Sequence, residues 1–108
     1  MIEVRFLYNN NKEIYGFSVS NHGASIVCAA VSALTFNTVN AVDAFTDVDF
    51  CCETDEKGYI FFECGALKNG ESCPDAALLL NALKLGIDNI SNEYRKSIRI
   101  KEVRLCLE

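Results

Sequence analysis

The chain has 108 residues, a length that suits one domain over residues 1–108 and leaves no room for a second. Half of the residues are hydrophobic and 23% are charged, which supports a packed core and argues against disorder. The net charge of −5 disfavours direct nucleic-acid binding, because phosphate binding needs a basic surface. No uninterrupted apolar run approaches the roughly 18 residues of a membrane span, and the charged N-terminal segment does not resemble a secretion signal. We therefore expect a cytoplasmic protein with no membrane partner.

The first two predicted elements are strands. Apolar residues alternate with polar ones over residues 2–8 and again over residues 15–20, which is typical of half-buried strands. The three asparagines at 9–11 favour a turn, so the two strands are predicted to form a hairpin.

The third predicted element is a helix. From Ile26 the apolar residues change to helical spacing, on Val27, Val31, Leu34, Val42 and Phe45, with alanines between them. Ser25 is a suitable N-cap, so the pattern predicts a helix from about 26 to 45.

The rest of the chain predicts a second hairpin, a second helix and a last strand. Residues 47–53 and 59–64 flank the loop 55–58, Pro74 starts a helix that runs to about 91, and residues 97–106 form a strand. The apolar phase slips by one residue within the last strand, which predicts a bulge near Glu102.

These elements follow the order ββαββαβ. Layer packing then predicts an α+β fold with a single two-layer domain, in which two helices cover one face of a mostly antiparallel sheet.

Six cysteines are distributed along the chain without a C-x-x-C pair. Without a secretion signal a disulfide framework is not indicated, and the only histidine, His22, cannot complete a Cys/His zinc site. For five of the cysteines we expect the ordinary behaviour of a small buried hydrophobic residue. These five are Cys51, Cys52, Cys64, Cys73 and Cys106.

The sixth cysteine, Cys28, has a position that suits a nucleophile. With Ser25 as N-cap it is the third helical residue, where the positive end of the helix dipole favours a thiolate and unpaired backbone amides could hold an oxyanion. His22 precedes the helix and could deprotonate the thiol. Ser32 lies one turn further on the same face and could join the site or bond back to the Cys28 carbonyl. The alternative is that Cys28 only packs in the core and His22 has no role.

Charge is unevenly distributed along the chain. No Lys or Arg stands between Lys12 and Lys57, whereas seven acidic residues do, and five of the ten basic residues lie within 95–104. The acidic stretch is either an ordinary solvated surface or a face that attracts a basic partner.

The string Ile-Val-Cys-Ala-Ala-Val-Ser at 26–32, with His22 before it and Val-Asn-Ala at 39–41 after it, resembles the ribosomal-processing cysteine protease family Prp. The resemblance implies a bacterial cytoplasmic enzyme, a homodimer with no metal or cofactor, that removes the N-terminal extension of a large-subunit ribosomal protein after an aromatic residue. It implies that His22 and Cys28 form a catalytic dyad, that Ser32 is the neighbouring serine, and that the substrate is the N-terminal peptide of that ribosomal protein.

The chain departs from the family pattern between the two predicted catalytic residues. Only five residues separate His22 from Cys28, fewer than is usual in the family, and Asn21, Gly23 and Ser25 stand where Gly, Ala and Asp are usual. Either the segment is truly short, which would alter or disable the site, or mobile residues are omitted from it, which is the interpretation we favour. Two alternatives to the protease remain: a non-catalytic, ribosome-associated binding module and a redox-active thiol protein.

Overall fold

The computed structural model describes residues 1–21 and 25–105. A five-stranded sheet in the order β3-β4-β2-β1-β5 forms one layer and helices on one face form the other, which confirms the predicted α+β, two-layer class. Three of the four strand pairings are antiparallel, and only β1 and β5 run parallel. The elements are β1 (Ile2–Tyr8), β2 (Ile14–Ser20), α1 (Ile26–Phe45), β3 (Cys51–Thr54), β4 (Ile60–Glu63), α2 (Gly65–Lys68), α3 (Pro74–Glu93) and β5 (Ile98–Arg104).

The predicted turn at 9–11 is built around a buried asparagine. Asn9 is 4% exposed, and its Oδ1 accepts hydrogen bonds from the backbone N–H groups of Asn11 and Glu13. Its Nδ2 donates to the carbonyl oxygen of Leu67 at 2.7 Å. Leu67 belongs to α2, a four-residue helix that apolar periodicity did not predict because one turn is too short to show a period.

The predicted bulge near Glu102 is wrong. β5 pairs with β1 in one continuous register, from Ile2 opposite Ile98 to Tyr8 opposite Arg104. The phase slip has another cause: β5 is an edge strand, and its Val103 remains 39% exposed instead of turning towards the core. The irregular register lies between β1 and β2, at Leu7 and Tyr8.

α1 and α3 pack closely against each other. A Cβ at Gly86 of α3 would lie 2.8 Å from Leu34 Cδ1 of α1, so the glycine permits this approach. The predicted bounds of α1 are confirmed, but Phe45 is 74% exposed and does not join its buried face. That face includes Thr35, whose hydroxyl donates to the carbonyl oxygen of Val31 at 3.0 Å.

The prediction that five cysteines are buried is only partly correct. Cys64 is fully buried and Cys73 is partly buried, but Cys51 and Cys52 are exposed because β3 is a short strand at the edge of the sheet. Partial desolvation by neighbouring atoms raises the pKa of the Cys52 and Cys73 thiols above the usual value for cysteine, although the Cys52 residue as a whole is exposed. Cys106 lies outside the described residues.

Over residues 1–21 and 25–105, α1 is the one helix that is long and apolar enough to cross a membrane. This is weak support for a membrane span, because a core helix of a soluble protein passes the same test.

Candidate active site

Ser25 caps the start of α1, as predicted. Its backbone is extended (φ −142°, ψ 164°), and its Oγ accepts a hydrogen bond from the Cys28 N–H at 3.2 Å. Its carbonyl oxygen accepts the Ala29 N–H at 3.1 Å and so begins the helical ladder. Cys28 is therefore the third residue of a capped helix, the position that the sequence predicted.

The Cys28 side chain lies at the end of the core nearest the helix start. It is 5% exposed and packs in the same hydrophobic cluster as Val27 and Val31. Ser25, Ile26 and Ala29 around it are all exposed, Ile26 at 75%. A peptide that reaches the thiol therefore has to approach over this first turn.

The cap changes the expected oxyanion site. Because Ser25 Oγ occupies the Cys28 N–H, this amide is not available to an oxyanion while the cap is in place. The N–H groups of Ile26 and Val27 precede it, and helix geometry gives them no partner within the helix. They are the better donors for an oxyanion at this helix end.

Of the two other predicted site residues, the structure describes Ser32 but not His22. Ser32 is half-buried one turn after Cys28, and its carbonyl oxygen accepts the Thr35 hydroxyl at 3.2 Å. His22 lies outside the described residues, so its role stays a prediction. The sequence is continuous from His22 to Cys28, so the segment is truly short and the favoured interpretation of omitted residues is wrong.

The sequence did not predict two cavities near the start of α1: the smaller one reaches the N-cap Ser25, and the larger one lies beside it, sharing Met1 and Asn21. One, of about 210 Å³, is lined by Met1, Ile2, Asn21, Ser25, Lys96 and Ser97. The other, of about 400 Å³, is lined by Met1, Glu3, Asn21 and Arg99. The basic run 95–104 signalled positive charge, but only the pairing of β1 with β5 places two of its residues, Lys96 and Arg99, at these cavities.

Glu3, the acidic residue that lines the larger cavity, already forms two ion pairs. Arg5 Nε lies 2.8 Å from one carboxylate oxygen of Glu3 and Lys101 Nζ lies 3.3 Å from the other. The hydrogen bond from Arg5 is the main cause that lowers the pKa of Glu3 below 4.5, and Lys101 adds to it. Within the part of the chain that the structure describes, no cluster of three or more His, Cys, Asp or Glu residues could hold a metal ion.

Comparison with known proteins gives one consistent result. The family model for the cysteine protease Prp matches residues 1–99. The ribosomal processing cysteine protease Prp of Bacillus subtilis is 27% identical over 107 residues, which cover 93% of this chain and 96% of that protein.

Solved structures show the same fold. The essential ribosomal processing protease Prp from S. aureus, in complex with a covalently linked product peptide, is 26% identical and superposes with a TM-score of 0.83 over 94% of this chain and 99% of that one. A protein from Streptococcus mutans is also 26% identical, with a TM-score of 0.83 over 97% and 99% of the two chains. With the family match over residues 1–99 and a cysteine at the capped helix start, the chain belongs to the Prp family and is a cysteine protease.

Proposed function

We propose that this protease processes a ribosomal protein, removing the N-terminal extension of a large-subunit protein during ribosome maturation. The observation that carries the proposal is the position of Cys28, the third residue of a helix capped by Ser25, in a chain that matches the Prp family. The names of the relatives support the ribosomal substrate, since both the B. subtilis and the S. aureus proteins are ribosomal processing proteases.

The proposed chemistry is covalent catalysis by a Cys28–His22 dyad. His22 takes the thiol proton, the thiolate attacks the carbonyl carbon of an aromatic residue of the substrate, and the N–H groups at the start of α1 stabilise the oxyanion. His22 then protonates the leaving amine as the C–N bond breaks. Water hydrolyses the thioester, releases the acid and restores the thiol. The covalently linked product peptide of the S. aureus relative agrees with nucleophilic catalysis.

The acidic surface of this chain supports a basic substrate. Glu53, Asp55 and Glu56 are exposed on the hairpin between β3 and β4. This hairpin lies at the end of the sheet where β1 and β5 begin, because Ile60 is opposite Val19 and Val19 is opposite Val4. An acidic surface at this end attracts a basic ribosomal protein before it reaches Cys28.

The test is incubation with an N-terminally extended ribosomal precursor peptide, followed by mass spectrometry. We expect one cut after an aromatic residue, no cut by Cys28→Ala or His22→Ala, and full activity in the control Cys51→Ala, which removes an exposed thiol on β3. Circular dichroism checks that each variant is folded. Cleavage retained by Cys28→Ala would refute the mechanism.

The second candidate function is that of a member of this protease family that has lost turnover and acts as a non-catalytic module that binds a ribosomal protein. The observation in its favour is the short segment of five residues between His22 and Cys28. It predicts that the precursor peptide binds with the same affinity to wild type and Cys28→Ala and that neither turns it over. Any turnover that depends on Cys28 rejects it.

We also propose that the enzyme is a cytoplasmic homodimer that does not bind nucleic acid directly. Apolar side chains are exposed on the outer surfaces of the two long helices: Phe36 at 50% on α1, and Leu78 at 67% and Leu85 at 64% on α3. A second copy that covers them would remove this apolar area from water. Light scattering should give a dimer mass for wild type and a monomer for Leu78→Glu/Leu85→Glu.

A further inference from the structure

We propose that the two cavities beside the start of α1 form a substrate subsite for an acidic side chain, with Lys96 and Arg99 as the specificity-determining residues. The inference rests on the proposed function and concerns which peptides the enzyme prefers. It predicts a substrate that carries Asp or Glu a few residues from the scissile bond.

The two cavities adjoin each other, and the smaller one reaches Ser25, the N-cap of the helix that carries Cys28. They share Met1 and Asn21 in their linings, and together they offer about 210 and 400 Å³ of space. The smaller one is lined by Ser25, whose Oγ is bonded to the N–H of Cys28. An extended peptide advances about 3.3 Å per residue, so a substrate held at Cys28 reaches these cavities within a few residues.

The backbone holds the two basic residues at the edge of this space. The Ile2 N–H donates to the Ser97 carbonyl oxygen at 2.8 Å, and the Ser97 N–H donates to the Tyr94 carbonyl oxygen at 2.9 Å. Arg99 follows on β5, opposite Glu3 of β1. Lys96 and Arg99 are therefore positioned by strand pairing, while their exposed side chains remain accessible to a ligand.

The charge in the cavities is positive although the whole chain is negative. Glu3 forms ion pairs with Arg5 and Lys101, so its negative charge is already neutralised by two cations. Among the residues that the structure describes, Lys96 and Arg99 pair with no carboxylate. The positive end of α1 adds to the same potential. An anionic group is the ligand that this combination favours.

We infer that the anion bound at Lys96 and Arg99 is the carboxylate of an acidic residue of the substrate. The acidic hairpin with Glu53, Asp55 and Glu56 lies across the same sheet end, separated from β5 by β2 and β1. A peptide bound across this end therefore meets negative charge on one side and positive charge on the other. Such a field favours a basic substrate that has one acidic side chain on the Lys96 and Arg99 side.

The test compares pairs of internally quenched peptides that differ only by Glu or Gln, with the acidic residue moved stepwise along both sides of the scissile bond. For wild type we expect kcat/KM to favour Glu at one position by about three- to fivefold, the effect of a single exposed charge pair, and the preference to fall as salt rises. Lys96→Gln/Arg99→Gln should abolish the ratio, while the matched control Lys57→Gln, on the hairpin, should keep it.

A binding measurement separates this inference from the proposed function. The affinities of the Glu and Gln peptides for Cys28→Ala, read by fluorescence anisotropy, give the same ratio without any turnover. Equal rates and affinities at every position, or a preference that survives in the double variant, overturn the subsite. Cleavage by Cys28→Ala, or no cleavage by wild type, overturns the proposed function and leaves the binding ratio to decide the subsite.

Discussion

Ser25 Oγ accepts a hydrogen bond from the backbone N–H of Cys28 at 3.2 Å, so the residue that caps α1 also fixes the backbone of the proposed nucleophile. This one hydrogen bond couples the stability of the helix end to the geometry of the active site. A change at Ser25 should therefore affect unfolding and cleavage together.

We expect Ser25→Ala to lower the free energy of unfolding by about 1 kcal/mol, the usual effect of losing an N-cap, and to lower kcat as well. Thermal denaturation and peptide cleavage measure the two effects. Ser25→Asp is the matched control, because a carboxylate keeps the acceptor and suits the helix dipole. Equal stability of Ser25→Ala and wild type would show that the cap contributes nothing.

Gly16 should not tolerate a side chain. A Cβ at this position would meet the Phe62 carbonyl oxygen and would lie 3.2 Å from Glu63 Cα, both of them backbone atoms that cannot move away cheaply. We expect Gly16→Ala to destabilise the fold by about 2 kcal/mol or more, measured by urea denaturation. Gly65→Ala is the control, since nothing lies within 4 Å of its Cβ position, and it should be neutral or stabilising. A neutral Gly16→Ala would contradict the close approach of β2 and β4.

Glu3 should make stability depend on acid pH. The hydrogen bonds from Arg5 and Lys101 lower its pKa below 4.5, so the folded state binds its proton more weakly than the unfolded chain does. The stabilisation is complete above about pH 4.5 and is lost as pH falls through the lower folded-state pKa. Glu3→Gln should therefore flatten the acid side of a plot of Tm against pH. Glu56→Gln, on the exposed hairpin, should keep the wild-type slope, and an unchanged slope in Glu3→Gln would disprove the linkage.

Asn9 joins the turn after β1 to α2. Asn9→Ala leaves the Leu67 carbonyl oxygen and two backbone N–H groups without their partner, so we expect a loss of about 2 kcal/mol in the free energy of unfolding. Asn9→Asp keeps the acceptor but loses the donor to Leu67, and should also be destabilising. The neighbouring exposed residue gives the control, Asn10→Ala, which should unfold like wild type. Chemical denaturation of the three variants decides between these outcomes.

Local patterns predicted the parts of the fold that depend on near neighbours. The bounds of α1 and its cap at Ser25 follow from periodicity and N-cap chemistry within a few residues. The exposure of Cys51 and Val103 was not predictable, because it depends on which strands form the sheet edges, and strand order is a long-range property. The cavities near Lys96 escaped prediction for the same reason.

The candidate site was predicted only as far as its helix. The position of Cys28 in the first turn of α1 follows from the sequence, and the structure confirms it. The occupation of its N–H by Ser25 depends on a side-chain rotamer, which spacing does not specify. The proposed subsite required the pairing of Ile2 with Ile98, residues from opposite ends of the described chain.

That parallel pairing determines the order in which the enzyme can mature on its own ribosome. β1 is synthesised early, but its second neighbour is the last strand, so one edge of β1 remains open until residues 98–104 have emerged. Lys96 and Arg99 arrive with that strand. The nascent chain therefore acquires its proposed nucleophile long before it acquires the charges that would select a substrate, and full selectivity appears only after residues 98–104 have emerged.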